Sequence, residues 1–174
     1  MRIETQRLVI RSFTPADAEG MLGVFDDPEV RKFLPPFPDP TLESIGKSVA
    51  RRIAMEQDHG HGLWAVERRD TGELIGDCGL MQVEGTGPEV EIAYHYKQTA
   101  WNNGYGTEAA LACLAQGFGP IGLERVIAIC IPENVGSWRV MEKAGMRYEG
   151  TASYYGLTGL KKYVADRATW SAPR

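Results

Sequence analysis

The sequence predicts an α+β fold (a mixed α/β architecture) in which about four helices flank a mixed, mostly antiparallel sheet of six to seven strands. Three β-rich runs separated by tight turns fill the middle of the chain, and two other stretches carry apolar residues at helical spacing, while two more have helix start or stop signals. The hydrophobic share of 43% and the charged share of 24% are typical of a globular protein. No linker or internal repeat interrupts the 174 residues, so we expect one domain spanning residues 1–174.

The N-terminal part predicts a strand, a helix and a loop. Residues 7–13 form a short β-rich run, and the sequence Thr-Pro-Ala-Asp at 14–17 then offers a helix cap followed by a proline at the first helical position. We expect Pro28 to end this helix. The proline-rich stretch 33–40 cannot be helix or central strand, because proline lacks a backbone N–H, and it should form an exposed loop.

The middle of the chain predicts a second helix and a three-stranded meander. Apolar residues recur at helical spacing between 41 and 56, and the His-Gly-His-Gly sequence at 59–62 should end that helix. Tight turns at 70–72 and 85–88 then separate the runs LWAVERR, LIGDCGLMQVE and EVEIAYHY. Short β-rich runs joined by such turns are typical of antiparallel strands.

The last third predicts two helices and three strands. Residues 104–118 have an amphipathic helical pattern that begins at a glycine-rich turn, and residues 134–144 read as a helix closed by Gly145. The β-branched run at 125–130 is typical of a buried strand. Two further strand-like stretches, MRYEGTASYY and KKYVADRATW, complete the predicted sheet.

Charge and cysteine content restrict the class of protein. A formal net charge of −4 argues against wholesale nucleic-acid binding, which needs clustered Lys and Arg, and favours a cationic partner. The charged N-terminal segment has no continuous apolar stretch, so we expect neither a secretory signal nor a membrane anchor. We therefore expect a cytoplasmic location. Cys78, Cys113 and Cys130 form no CxxC pair and are odd in number, which fits reduced, partly buried thiols better than a disulfide framework.

The segment from Glu91 to Ala109 predicts a phosphate-binding turn. A strand leads through a polar loop to Gly104-Tyr105-Gly106, which opens a helix, and unpaired N–H groups at a helix N-terminus bind anions. A plain tight turn is the alternative. The P-loop is excluded because no Gly-Lys-Ser/Thr is present, and the dinucleotide fingerprint needs a glycine where Trp101 or Asn102 stands. A nucleotide-bearing ligand other than ATP or NAD is therefore favoured.

Two motifs resemble those of the GNAT superfamily of N-acetyltransferases. The turn resembles its acetyl-CoA motif, Gln or Arg, two residues, Gly, any residue, then Gly or Ala, with Trp101 in place of Gln or Arg. That departure resembles the branch of ribosomal-protein N-acetyltransferases. Residues 134–146 are similar to the family's Asn-x-x-Ser-x-x-Val-x-x-Lys-x-Gly-Phe, with Met146 replacing the aromatic residue. Residues 4–8 and 27–30 also resemble that branch, so the likeness spans nearly the whole chain in the right order.

The resemblance implies a fold, an activity and a cofactor site. It implies a sheet splayed between the fourth and fifth predicted strands, with the pantetheine arm of acetyl-CoA in the gap, and transfer of an acetyl group directly to a primary amine. Asn134 would contact the cofactor, although it is also a good helix cap, and Lys143 or Arg139 would meet the 3′-phosphate unless they are merely solvated. Pantetheine would pair with the backbone at Tyr94, His95 and Tyr96, and pyrophosphate would rest on the N–H groups of Asn102, Asn103, Gly104, Tyr105, Gly106 and Thr107.

Two residues are candidates for proton transfer. Ser137 matches the position from which some relatives protonate the leaving sulfur, whereas the alternative is a serine that only caps or packs its helix. Glu91 lies on the last meander strand and would take the ammonium proton directly or through water. Its alternatives are an exposed strand carboxylate and, because strand side chains alternate, a paired acidic patch with Glu89 that binds a cationic acceptor.

Other candidates have weaker support. Trp64, Phe33 and Phe37 would wall the acceptor site, and Tyr154 or Tyr155 would line it or supply a proton, although aromatic residues more often serve in packing than in recognition. Direct attack needs no enzyme nucleophile, so the cysteines are expected to be structural. The histidines, His59, His61 and His95, lack an evident third ligand, so no metal is expected.

Three functions remain open from sequence. The first is the N-acetyltransferase, the second an acyl-CoA sensor that binds without turnover, and the third a dinucleotide-binding protein. The acceptor could be a protein N-terminus, an amino acid, a polyamine or an aminoglycoside. An α-amine is favoured because its pKa of about 8 lies below the value of about 10.4 for lysine, so a weak base suffices. A homodimer is possible.

Overall fold

An eight-stranded sheet forms the centre of the protein in a computed structural model that describes residues 1–173. The strand order is β1-β2-β3-β4-β5-β6-β8-β7, and every neighbouring pair is antiparallel except β5 and β6, which are parallel. The mixed, mostly antiparallel sheet that the sequence predicts is therefore confirmed. The strands are β1 (Arg2–Glu4), β2 (Leu8–Arg11), β3 (Leu63–Arg68), β4 (Leu74–Gln82), β5 (Val90–Tyr96), β6 (Arg125–Cys130), β7 (Arg147–Tyr154) and β8 (Leu157–Asp166).

Five α-helices flank this sheet, each beginning at a recognisable signal. The longest begins where the Thr41 hydroxyl accepts the Ser44 N–H at 3.1 Å and ends at Gly60, whose φ of 73° lies in the left-handed region. The helices are α1 (Ala18–Phe25), α2 (Pro28–Arg31), α3 (Leu42–His59), α4 (Tyr105–Gln116) and α5 (Val135–Lys143).

The structure has one strand and one helix more than the sequence predicts. Strand β1 has only three residues, too few for a recognisable alternation of apolar and polar side chains. Pro28 does not simply end a helix, because it also begins α2, in which the Asp27 carboxylate accepts the Glu29 N–H at 2.8 Å. Proline is tolerated at that position since the first helical N–H has no partner anyway. Residues 35–40 have no regular secondary structure, in agreement with the predicted loop.

Apolar clusters cover both faces of the sheet. One cluster packs α4 and α5 against one face, and the other packs α1 and α3 against the opposite face. Because side chains alternate along a strand, Ile92 and Tyr96 of β5 join the first cluster, whereas Ala93 packs against the second and the ring of His95 lies 5.2 Å from that of Phe25. Strand β5 therefore presents different chemistry to the two helical layers.

Strands β5 and β6 separate almost as soon as they meet. Their ladder consists of a single register pair, Glu91 with Ile127, and the rest of β5 up to Tyr96 has no partner in β6. These are the fourth and fifth strands of the sequence prediction, so the expected splay is confirmed. The gap lies beside the N-terminal ends of α4 and α5.

Candidate active site

The turn before α4 presents a row of backbone donors. Asn102 has a φ of 60° and Gly104 a φ of 80°, so two residues adopt the left-handed backbone conformation just before the helix starts. Within the described part of the chain, none of the six N–H groups of residues 102–107 donates a hydrogen bond, and Gly104 caps α4 without a side chain. Consecutive free N–H groups at a helix N-terminus form an anion-binding site.

Residues from distant segments hold this turn in place. The Arg7 guanidinium donates to the Asn103 carbonyl at 2.9 Å and to the Glu108 carboxylate at 2.7 Å, and the Thr5 hydroxyl donates to the same carboxylate at 2.6 Å. The Trp101 indole donates to the Tyr96 carbonyl at 2.9 Å. The backbone donors are therefore fixed by bonds to β5 and to the segment before β2.

A cavity of about 480 Å³ opens from this turn along the gap between β5 and β6. Gly106 lets α4 approach α5 there, since a Cβ at this position would lie 3.3 Å from Val140. Asn103 and Tyr105 are not in its walls, because the Asn103 carbonyl accepts from Arg7 and the Tyr105 ring lies 4.7 Å below the Arg7 guanidinium. The other predicted cofactor residues all line it: Tyr94, His95, Tyr96, Asn102, Gly104, Gly106, Thr107, Asn134 and Lys143.

A second cavity, of about 420 Å³, lies on the α3 side of the sheet. Its walls come from α3, the loop after α2, strands β5 and β6, and the turn between β7 and β8. Glu91 and Tyr155 are among its lining residues. The residues that line both cavities are Phe33, Leu34, Tyr94, His95, Asn134 and Ser137, so the two spaces meet at the first turn of α5.

Ser137 lies at this junction with a fixed backbone. Its N–H donates to the Asn134 side-chain oxygen at 3.1 Å, so Asn134 caps α5 and lines the cavities at once. The Tyr94 hydroxyl donates to the Ser137 carbonyl at 2.9 Å and lies 3.2 Å from the Ser137 Oγ. Burial raises the pKa of Tyr94, so this phenol stays protonated. Sequence reasoning gave Tyr94 only a backbone role and missed this contact.

Glu91 is buried, with 5% of its surface exposed, which excludes the exposed strand carboxylate. Burial raises the pKa of Glu91 to about 7, although the Tyr155 hydroxyl donates to its carboxylate at 2.5 Å and opposes that rise. The predicted acidic pair is wrong: Glu89 precedes β5 and accepts hydrogen bonds from Tyr154 and Lys162 instead. Glu91 is thus the single carboxylate among the residues that line the second cavity.

A buried cluster beside Glu91 was not predicted. Asp77 on β4 is fully buried and accepts from the His95 Nδ1 at 2.8 Å, from the His95 N–H at 3.0 Å and from Arg52 at 3.0 Å. Burial opposes ionisation of Asp77, but the neighbouring His95 and Arg52 outweigh it and hold its pKa below the usual range. The only signal in the sequence was an aspartate inside an apolar strand, whose partners lie far away along the chain.

The predicted aromatic residues divide between core and cavity. Phe33 and Tyr155 line the second cavity, whereas Phe37 and Tyr154 are not in its walls. Trp64 is completely buried and its indole donates to Glu56 at 3.1 Å, so it belongs to the core. The three cysteines are free, and all three are buried, whereas the sequence predicted only partial burial. Because burial raises the pKa of Cys130 to about 11, its thiolate is disfavoured at neutral pH.

Residues 1–173 contain no group of three potential metal ligands, and no helix among them is both long and apolar enough to cross a bilayer. The imidazole of His61 is buried and hydrogen-bonded to the Leu80 carbonyl at 2.9 Å.

Comparison with known proteins places this fold and site in one family. Residues 7–147 match the acetyltransferase (GNAT) domain. The chain is 31% identical over 156 residues to the uncharacterized N-acetyltransferase YoaA of Bacillus subtilis (strain 168), with 88% of this chain and 86% of that protein covered. A GNAT-family acetyltransferase structure from Bacillus anthracis superposes with a TM-score of 0.82 at 30% identity, covering 97% of this chain and 99% of that one.

A more distant neighbour shares the fold alone. RimL, a ribosomal alpha-N-protein acetyltransferase solved in complex with coenzyme A, has a TM-score of 0.79 at 15% identity, covering 95% of this chain and 98% of that one. Ribosomal-protein acetyltransferases are thus among the proteins that share this fold. From the matched domain and the two closer likenesses, the chain belongs to the GNAT family of N-acetyltransferases, a fold that implies the use of acetyl-CoA.

Proposed function

We propose that residues 1–174 form one N-acetyltransferase domain that moves the acetyl group of acetyl-CoA directly to a primary amine of a protein N-terminus or a small molecule. The observation that carries this proposal is the junction of two cavities at Tyr94, His95, Asn134 and Ser137. A donor in one cavity and an acceptor in the other bring their reacting groups together there, which makes attack effectively intramolecular. We also propose a cytoplasmic location, which three free buried thiols favour.

The first cavity suits the cofactor. Six free N–H groups, at residues 102–107, would bind the pyrophosphate oxygens, and Lys143 adds positive charge in the same wall. The open edge of β5 offers backbone groups to the pantetheine arm. One of these already has a partner, since the Tyr96 carbonyl accepts from the Trp101 indole. The backbone of His95 faces the neighbouring strand β4 instead, where its N–H donates to Asp77. Pairing would therefore rest mainly on Tyr94.

Glu91 is the proposed proton acceptor. An amine attacks only in its neutral form, and acetyl-CoA when bound supplies an activated acetyl thioester. With a pKa of about 7, Glu91 is ionised in about half the molecules at neutral pH, which suits a general base. It would take the amine proton, directly or through water, as the new C–N bond forms and the C–S bond breaks.

Ser137 is the proposed proton donor to the departing thiolate. Its Oγ lies at the junction of the cavities, and the Tyr94 hydroxyl lies 3.2 Å from it, within hydrogen-bond distance. The donor role needs a mobile hydroxyl on a fixed backbone. The Asn134 cap and the Tyr94 bond to the Ser137 carbonyl provide that fixed backbone.

Release of coenzyme A thiol from acetyl-CoA, measured with N-terminal peptides, amino acids, polyamines and aminoglycosides, tests the proposal. Glu91→Gln should lower kcat by about 100-fold and Ser137→Ala by about tenfold, with coenzyme A affinity unchanged. Glu89→Gln and Ser153→Ala are the matched controls, since neither side chain lines either cavity. Wild-type kcat in both active-site variants would contradict the assigned roles. Tight coenzyme A binding without turnover of any acceptor would support the sensor instead.

A further inference from the structure

The charges that face the second cavity are unbalanced. Its lining contains two arginines, Arg51 and Arg52 on α3, and a single carboxylate, Glu91. His95 adds no negative charge. The wall is otherwise largely apolar, with Met55, Met81, Leu157 and Leu160 among its members.

Arg52 is already neutralised. Its guanidinium donates to the buried Asp77 carboxylate at 3.0 Å and also to the Ser48 carbonyl. Most of its N–H donors are therefore already engaged and are not free to bind a ligand. The buried carboxylate of Glu91 accepts a hydrogen bond from the Tyr155 hydroxyl, and its raised pKa of about 7 leaves it only partly ionised near pH 7. Neither residue therefore supplies a fixed net charge.

Arg51 is the exception. Within residues 1–173 its side chain forms no ion pair and no hydrogen bond, yet it lines the cavity and is exposed. Lys47, one turn earlier on α3, pairs with Glu43 at 2.6 Å. The guanidinium of Arg51 is therefore an uncompensated positive charge in the wall of the acceptor cavity, available to a ligand.

We propose that the acceptor amine belongs to a molecule that carries a carboxylate close to the amine, and that Arg51 binds this carboxylate. The inference rests on the proposed transferase function and specifies its acceptor. Guanidinium groups recognise carboxylates through two parallel hydrogen bonds, whereas polyamines and aminoglycosides would place further positive charge against Arg51. The net charge of −4 favoured a cationic partner, but the local charge of the cavity outweighs it.

The shared chemistry of amine and carboxylate has two sources, a free amino acid and a protein N-terminus followed by an acidic residue. We would compare leucine with leucinamide, at equal concentrations of free base, and the peptide amide Leu-Glu-Ala-Ala with Leu-Gln-Ala-Ala. 1,4-Diaminobutane serves as the cationic acceptor. The pair that shows the larger preference identifies the source.

The wild type should use the carboxylate-bearing member of at least one pair with kcat/KM about tenfold higher, since a charge-assisted hydrogen bond stabilises by about 1.5 kcal/mol or more. Arg51→Gln should abolish this preference by raising KM. Lys47→Gln, the same charge change on the same helix outside the cavity, should keep it. Equal use of both members of each pair, or an unchanged preference in Arg51→Gln, would overturn the inference.

Calorimetric titration of the same compounds into the protein saturated with coenzyme A separates this inference from the transferase itself. If nothing is acetylated but leucine or the Glu peptide binds more tightly than its neutral partner, and Arg51→Gln removes the difference, the carboxylate site stands and only the transferase fails. If no compound shows that difference in either assay, the carboxylate site is refuted.

Discussion

The two cavities are built from different parts of the chain. The first takes its donors from the backbone of one turn, residues 102–107, and from the edge of one strand. The second takes its chemistry from side chains on α3, β5 and the turn between β7 and β8. The backbone site depends on local conformation, whereas the side-chain site depends on contacts between residues far apart in sequence.

This difference determines how each site responds to substitution. Backbone donors survive a change of side chain as long as φ and ψ are kept, so only positions such as Gly104 are sensitive. In the acceptor cavity each side chain is itself the functional group. Substitutions there should change acceptor use and leave coenzyme A affinity unaltered. The four experiments below probe the side-chain site through stability and pH dependence and the backbone site through coenzyme A affinity.

The largest expected effect concerns the buried Asp77, which ties α3 to β5 through Arg52 and His95. Asp77→Asn should lower the free energy of unfolding by about 3 to 5 kcal/mol, because it removes a fully buried carboxylate and leaves the largely buried Arg52 guanidinium without its counter-charge. Denaturant unfolding measures the loss. Asp70→Asn removes an exposed carboxylate paired with Arg68 and should cost less than about 1 kcal/mol. Equal losses of unfolding free energy in the two variants would show that the contacts of Asp77 with Arg52 and His95 do not stabilise the fold.

The second effect is a pH dependence that Glu91 imposes on stability. Its pKa is raised from 4.5 to about 7 in the folded protein, so the folded state binds more protons between these values. The associated stability is fully present below pH 4.5 and is lost as pH rises through 7, a change of about 3 kcal/mol. The free energy of unfolding of wild type minus that of Glu91→Gln should fall accordingly between pH 4.5 and 8. If this difference in unfolding free energy does not change with pH, the pKa of Glu91 in the folded protein is not raised.

The third effect tests the backbone site. Gly104→Ala places a Cβ on a residue with a φ of 80°, which costs about 1 to 2 kcal/mol and shifts the N–H groups beside it. Coenzyme A affinity should fall about tenfold, as measured by calorimetry, if most of that strain appears on binding. Gly72→Ala creates the same strain at a φ of 70° in a turn outside both cavities. It should lower stability alone, and a matching loss of affinity would argue against the turn as the anion site.

The smallest expected effect is a change in the pKa of Glu91, the proposed base. Removing the Tyr155 hydroxyl takes away a hydrogen bond that favours the Glu91 carboxylate. Tyr155→Phe should therefore move the acidic limb of the pH–rate profile to higher pH by about 0.5 to 1 unit, since one hydrogen bond contributes about 1 kcal/mol. Tyr154→Phe removes a hydroxyl that bonds to Glu89 instead and should leave the limb unchanged. A shift toward lower pH in Tyr155→Phe would contradict the assignment.

The sequence predicts the fold and the turn for the same physical reason. Glycines at 104 and 106, a polar loop and an amphipathic helix are local features, and the conformation they adopt is also local. The splay between β5 and β6 followed from the family resemblance and is confirmed. Strand β1 was missed because three residues carry too little pattern to be recognised.

The acceptor side was harder to predict because its contacts are not local. Glu91 and Tyr155 are 64 residues apart, and Asp77 and Arg52 are 25 apart, so no spacing in the sequence indicates either pair. Alternation suggested that Glu89 and Glu91 act together, but Glu89 lies just outside β5 and is bound elsewhere. Nothing in the sequence distinguishes Arg51 from other helical cations, because its place in the cavity wall and its lack of a partner within residues 1–173 depend on the folded structure.

The single register pair between β5 and β6 also bears on the mechanics of the molecule. Strands β1 to β5 lie on one side of this gap, and β6, β8 and β7 lie on the other. Within residues 1–173 the two halves of the sheet are joined by the single register pair of Glu91 and Ile127. A ligand bound in the gap between β5 and β6 would contact both halves of the sheet and restrict their motion relative to each other. Amide hydrogen exchange in β5 and β6 should therefore slow when a ligand occupies the gap, while the edge strand β1 exchanges at the same rate with and without the ligand.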